Sequence, residues 1–433
     1  MKKVQTVRRS WTLLGFLVLA VIAGTYRVSQ QPPAAEFVVP PAPLAVDAAP
    51  RFMTAFASSS QQVQVHAASL VELNDGRVRA FWFAGSREGA SDVAIRSAVF
   101  DPLNDQWGAE QVVVDRTQTQ RDLLRYVKKL GNPVGTRAAD GSLRLFYVTV
   151  SLGGWAGSSI TTMTSHDEGE TWEPARRLIT SPFLNISTLV KSPPVVFADG
   201  TLGLPVYHEL AGKFGELLRL DADGDVFDKH RVGAASDHGL QPVMMIESPQ
   251  RASLFMRYAG PAPQRVLRAT TDDAGRHWSA PEKTALPNPN AAVSALRLAD
   301  GQVLAVLNHQ EESRDSLSLM LSADDGATWR EVYRLEDQRD VGGQGIEPAA
   351  FAQRAATLIA QTDVRAAPQV DAFVASAKGP ACRGERCGFE FSYPYLLQAS
   401  NGDIHLVYTW NRAFIKHVVF NRALLDVSSG GAP

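Results

Sequence analysis

Residues able to do chemistry recur at fixed places in this chain, always at the edge of an apolar run. Arg87-Glu88, Tyr207-His208-Glu209, Arg257, Asn308 and Trp410-Asn411-Arg412 each end such a run. His66-Ala67, Asn132-Pro133, Ser192-Pro193, Gln241-Pro242, Asn288-Pro289 and Tyr393-Pro394 each open one. Guanidinium groups grip carboxylates through a planar fork, carboxyl groups move protons, and a phenol or imidazole serves as nucleophile or base. Gathered in one place, these side chains would hold an acidic ligand and transfer a proton on it. No metal pattern competes with this reading: the 9 histidines include no H-E-x-x-H and no paired Cys/His spacing, and Asp221–Asp225 reads as a turn. No metal or cofactor is expected.

A repeat brings such distant residues together. The apolar runs pair across Asp75-Gly76, Asp140-Gly141, Asp199-Gly200, Asp300-Gly301 and Asn401-Gly402, each a two-residue hairpin signal, and a sixth pair turns near Pro249–Arg251. A second motif, hydroxyl-x-Asp-x-Gly-x-x-Trp, occurs at Ser165–Trp172, Thr271–Trp278 and Ser322–Trp329, with relics at Ser97–Trp107 and Leu220–Phe227. Its logic is local: Asp accepts backbone N–H groups across the turn, Gly takes a positive φ, and Trp plugs the hairpin end into the core. These boxes are read as structural.

Six hairpins, each followed by a further hairpin, predict an all-β fold: a six-bladed β-propeller whose inner strands line an axis. Both sets of polar residues then converge on one mouth of that axis. Before the last hairpin the spacing roughly doubles, and Glu347–Lys378 is Ala-rich with helical-looking stretches such as Glu347–Gln361, so a partly helical insertion is expected at about 335–390.

The propeller is bounded at residues 56–425, with a tail at 426–433. Ahead of it, Lys2, Lys3, Arg8 and Arg9 precede an apolar run from Trp11 to about Tyr26, the pattern of a signal peptide or membrane anchor over residues 1–29. Residues 30–55 are rich in Pro and Ala and read as an extended linker. An exported, periplasmic or extracellular monomer is expected, with an inner-membrane tether if the N-terminal segment is kept. Cys382 and Cys387, the only 2 cysteines, then form a small-loop disulfide. A formal net charge of −2 excludes a polyanion-binding surface and makes nucleic acid an unsuitable partner.

The boxes, the blade count and the order of motifs resemble the sialidase superfamily of BNR or Asp-box repeat proteins from about residue 60 to 422. The resemblance implies an arginine triad for a substrate carboxylate, an Asp acid/base and a Tyr nucleophile paired with a Glu. FAGSREGASDVAIRS is similar to the acid/base segment and gives Asp92. Arg257 and Arg314 fall at the second and third triad positions, and Tyr393 in FSYPYL at the nucleophile. Two positions depart from the pattern: His66-Ala67-Ala68 stands where the first arginine is expected, and Gln241 where the glutamate is. Arg87, Glu88 and Glu209 are available to compensate, with Glu209 or Glu88 as base for Tyr393, and Asn132, His208 and Arg412 are further expected substrate-binding residues.

A neutral phenol suits attack at an anomeric centre that carries a carboxylate, because it avoids charge repulsion. The expected activity is therefore that of an exo-glycosidase on acidic sugars of glycans or polysaccharides. The same residues also suit a uronate lyase, with Asn, Gln, His or Arg neutralising the carboxylate, or a glycan-binding propeller without turnover.

Overall fold

The computed structural model describes residues 14–22, 35–43, 49–58, 64–181, 185–363 and 369–427. Residues 14–22 form a helix within a unit of its own that spans Met1–Ala35. Among the described residues no helix is long and apolar enough to cross a membrane. The expectations for residues 1–13, 23–34 and 428–433 lie outside the described residues.

The turn signals do what their chemistry dictates. Gly76, Gly141, Gly200, Gly301 and Gly402 all stand at φ between +81° and +91°, a region that side chains resist. Each turn joins the two inner strands of an antiparallel sheet, and six such sheets of four or five strands make up the fold. The innermost strands are Gln64–Glu72, Lys129–Arg137, Leu189–Val190, Gly239–Ile246, Ser294–Arg297 and Phe391–Gln398. Inner strands of neighbouring sheets pack on one another in chain order and the sixth sheet meets the first, so the ring closes. This is a six-bladed β-propeller.

The three full box motifs form one repeated turn. Ser322 Oγ accepts the Gly326 N–H at 2.8 Å, Asp324 accepts the Thr328 N–H at 2.8 Å, and Trp329 Nε1 donates to the Gly326 carbonyl at 3.0 Å. The same bonds recur around Asp167 and Asp273. Hydrogen bonds to each Asp from the side chain and backbone N–H of the residue four positions on, and from the box hydroxyl, hold all three carboxyls down at about 2 against opposing burial.

Two parts of the expected linker belong to the propeller instead. Phe52–Phe56 is the outermost strand of the sixth blade, with Phe52 opposite Phe420 and Phe56 opposite Lys416. Further upstream Phe37 is buried with its ring 5.0 Å from Phe197, and its N–H donates to the Pro249 carbonyl at 2.7 Å. The reason is compositional: both are short apolar runs embedded among Pro and Ala, and an average over the stretch hides them.

The insertion forms helices at Pro348–Thr362 and Val370–Ala381. Phe351, Ala355 and Ile359 recur every fourth residue and turn one stripe of the first helix into the core. Phe373 of the second helix stacks on Phe414 of the last blade at 4.8 Å. The second helix ends in a two-stranded hairpin closed by the Cys382–Cys387 disulfide, which returns the chain to the sixth blade.

Candidate active site

At one end of the axis the inner strands lose their regular pleat. Ala67, Asn132, Gln241 and Tyr393 all have positive φ, 44° to 55°, and in all four strands the pairing register shifts there. Proline follows Asn132, Gln241 and Tyr393 and cannot donate to the ladder, so a bulge is the stable solution. In the other two blades the left-handed residues are Ser187 and Asn290. Asn288, singled out in the sequence, closes instead on the Ala291 backbone through both its amide atoms.

The bulges bring side chains from neighbouring blades together. Asn132 Nδ2 and Gln241 Nε2 both point at the Tyr207 hydroxyl, at 3.3 and 3.5 Å. The His66 and Tyr393 rings meet edge to face at 4.4 Å. Arg257 Nε donates to Asn290 Oδ1 at 2.6 Å and its Nη1 to Gln241 Oε1 at 3.4 Å, while Arg314 Nη2 donates to the Asn290 carbonyl at 2.6 Å.

Arg412 is placed by strain. Asn411 and Arg412 are consecutive left-handed residues at φ 50° and 55°, a conformation that costs on the order of 1–3 kcal/mol at a bulky side chain. Reciprocal bonds of 2.7 Å between Asn411 and Glu390, and a 2.8 Å bond from the Val65 N–H to the Arg412 carbonyl, hold the turn in place. The Arg412 guanidinium then spans two carboxylates, Glu88 at 2.8 Å and Glu390 at 3.1 Å, and Glu390 also takes Arg314 at 3.4 Å.

The electrostatics follow from this wiring. Burial alone would raise the Glu390 carboxyl, but Arg412 and Arg314 outweigh it and hold it at about 2. Burial drives His66 down to about 4, with Arg412 adding to the effect against Glu88 and Glu390, so its ring is neutral near pH 7. Glu209 has no such clamp: burial raises its carboxyl, opposed by Arg257, Lys213 and Lys129. Tyr207 is raised by burial, with Tyr393 and Glu209 adding, which puts both of those groups within electrostatic reach of it. Beneath Tyr393 the Lys191 ammonium is buried and lowered to about 7 by desolvation. It reaches the Pro394 carbonyl at 3.3 Å and lies 5.8 Å from the Tyr393 ring centroid.

Of the residues expected at the site, Tyr393, His66, Arg257, Arg314, Arg412, Glu88, Glu209, Gln241 and Asn132 thus gather at the mouth. Arg87 is exposed and lines a small hollow together with His66, Glu88 and Arg412. Asp92 is exposed on the same loop, and its carboxylate accepts the Ser86 N–H and hydroxyl, both at 2.9 Å. His208 turns away into its blade, bonded to Glu216 at 2.7 Å and stacked on Phe214 at 4.6 Å. Trp82 and Trp410 are fully buried packing residues, whereas Trp155 is at the mouth, its Nε1 3.2 Å from Glu88 and its ring under Lys129 at 3.9 Å. Sequence reasoning missed Glu390 and Lys191. The available signals were faint: a lone Glu three residues before Tyr393, and a Lys closing an apolar pair before Ser-Pro-Pro.

The family profile described as "BNR repeat-like domain" matches residues 76–406, well over half of the chain. The chain belongs to the BNR repeat-like family. Solved structures share the fold of this BNR repeat-like protein at low identity. A Hadza microbial sialidase, Hz136, superposes with a TM-score of 0.59 at 14% identity over 84% of this chain and 67% of its own. A protein of unknown function from Dyadobacter fermentans DSM 18053 gives 0.60 at 13% identity, over 90% and 100%. The intramolecular trans-sialidase from Ruminococcus gnavus, solved with oseltamivir carboxylate, gives 0.59 at 12%, over 85% and 97%. No functionally curated protein matches the chain by sequence.

Proposed function

We propose that this protein is an exo-glycosidase that removes an acidic sugar from glycans or polysaccharides, with Tyr393 as nucleophile. The observation that carries the proposal is the linking of three guanidinium groups from three blades beside Tyr393: Arg257 and Arg314 share Asn290, at 2.6 Å each, and Arg314 and Arg412 share Glu390, at 3.4 and 3.1 Å. Arg412 stands in for the arginine whose place His66 takes. A substrate carboxylate would bind these groups by displacing Glu88 and Glu390 from part of their present bonds. Glu209, with its raised carboxyl, is the base that receives the Tyr393 proton in the absence of a glutamate at 241. Asp92 is the proton donor to the leaving group, a role that requires its carboxylate to leave Ser86.

A second reading has one observation in its favour. Elimination from a uronate needs a neutral base beside a carboxylate held by arginine, and His66 is kept neutral by burial and lies against Tyr393. A reaction screen separates the two. Fluorogenic acidic glycosides report hydrolysis, and uronate polysaccharides report elimination through the ultraviolet absorbance of an unsaturated product. Fluorophore release that disappears in Tyr393→Phe supports the glycosidase. Unsaturated product supports the lyase, and stoichiometric glycan binding without turnover would make the protein a binding propeller.

The reaction is placed outside the cytoplasm on the strength of Lys2–Arg9, the apolar run after it, and the Cys382–Cys387 disulfide. Recovery of the native protein only from the cytoplasmic fraction would contradict that location.

A further inference from the structure

The insertion does more than cover the last blade. Its disulfide-closed hairpin carries Arg383 and Arg386 and is fixed to the chain entering the insertion, because Ile346 and Cys387 exchange backbone bonds of 2.9 and 2.8 Å. Gly345 stands at φ +68° where an added Cβ would lie 2.7 Å from the Cys387 carbonyl oxygen, so only glycine lets the two segments come this close. Between the hairpin, the run Gly342–Gly345 and the mouth lies a cavity of about 310 Å³. Its inner wall is Glu390, Asn411 and Arg412, groups of the mouth itself, so the cavity is a side chamber of the site.

The chamber's polar groups favour an anion. The Arg383 side chain is exposed and makes no hydrogen bond or ion pair among the described residues. The Arg386 side chain is 55% exposed and among the described residues meets only Glu347 at 3.4 Å and the Gly345 carbonyl at 3.5 Å. The carboxylates of the lining are already engaged: Glu390 by Arg412 and Arg314, Asp315 by Gln310 at 2.5 Å and Ser313 at 2.7 Å. Asn411 is 2% exposed, yet its Nδ2 donor has no partner among the described residues. A buried amide donor left unpaired is unfavourable until something accepts from it.

Resting on the reading of the mouth as an acidic-sugar site, we infer that this chamber is a second sugar subsite for an anionic sugar joined to the one held over Tyr393. Arg383 and Arg386 face its carboxylate or sulfate, and Asn411 Nδ2 donates to one of its oxygens. The preferred ligand is then a glycan with two consecutive acidic sugars.

Calorimetric titration of the full chain, carrying Tyr393→Phe so that the probes are not cleaved, tests this with four probes: N-acetylneuraminic acid and its α2,8-linked dimer, and galacturonic acid and its α1,4-linked dimer. For the sugar the mouth accepts, the dimer binds about tenfold more tightly than the monomer, an advantage that shrinks as salt is raised. Arg383→Gln/Arg386→Gln brings the dimer to the monomer's affinity, and Arg383→Lys/Arg386→Lys restores most of the difference. A dimer no tighter than its monomer, or an advantage that survives the Gln pair at an unchanged melting temperature, overturns the subsite alone. If none of the four probes binds, the acidic-sugar reading of the mouth falls and the subsite with it.

Discussion

The boxed turn at Ser322–Trp329 and the mouth both hold a carboxyl at about 2, and they do so by opposite means. Asp324 finds its partners within four residues, in the Thr328 N–H and hydroxyl and the Ser322 hydroxyl. Glu390 is held by Arg412 and Arg314, and Glu88 meets Arg412 across 324 positions of sequence. Backbone donors in a turn satisfy the carboxylate permanently and leave nothing for a ligand. Guanidinium groups are exchangeable: a ligand carboxylate can take over part of the bonds that Arg412 and Arg314 give to Glu390. Depressed acidity alone therefore does not mark a functional carboxylate, and the identity of its partners does.

Several substitutions break or sharpen that contrast. The largest effect is expected from Tyr393→Phe, which should lower turnover about a thousandfold while ligand affinity and melting temperature barely move. Arg412→Met should lower kcat/KM about a hundredfold, because it leaves Glu88 and Glu390 without their common partner. Steady-state kinetics on the best substrate of the screen checks both.

His66 should shape the acid side of stability. Its folded value of about 4 lies below the ordinary 6.5, so the unfolded chain takes up the proton first. The contribution is fully present above pH 6.5 and is lost as pH falls towards 4, by about 3 kcal/mol in total. Denaturant titrations at several pH values should show that loss in the wild type and a flatter profile in His66→Gln.

Lys191 acts with the same sign from the alkaline side. Its folded value of about 7 lies below the ordinary 10.5, so its penalty on the native state is full below pH 7 and is relieved as pH rises towards 10.5. Lys191→Met should therefore stabilise the fold at pH 8 by about 1–2 kcal/mol, while weakening turnover by releasing Pro394. The smallest effect is expected at the box: Ser322→Ala should cost about 1 kcal/mol of stability by stranding the Gly326 N–H, and should leave KM untouched. A KM that shifts with Ser322→Ala would erase the distinction between the two regions.

What was legible in the sequence had its cause within a few residues. The Asp-Gly turns, the three boxes, the helix in the Ala-rich insertion and the Cys382–Cys387 loop each carry their own hydrogen bonds or spacing, and each forms where it was expected. The mouth was legible as a list of polar ends, but its wiring was not. Arg412 owes its position to two left-handed residues and to partners on two other segments, neither of which leaves a mark in its own stretch. His208 shows the limit from the other side. It neighbours Tyr207, but side chains alternate along a strand, so one turns to the mouth and the other to Glu216 in the blade. The strand at Phe52–Phe56 and the buried bridge at Phe37 were hidden by the Pro- and Ala-rich sequence around them.

The most direct test of the central claim is to look for the covalent intermediate. The protein would be incubated with an acidic-sugar fluoride carrying a second fluorine beside the anomeric carbon, which slows release of the bound sugar, and its peptides then weighed. Tyr393 as nucleophile requires a mass increment of one fluorinated sugar on the peptide containing Tyr393, absent from Tyr393→Phe. An increment on any other residue, or turnover of an ordinary acidic glycoside by Tyr393→Phe at the wild-type rate, would contradict it.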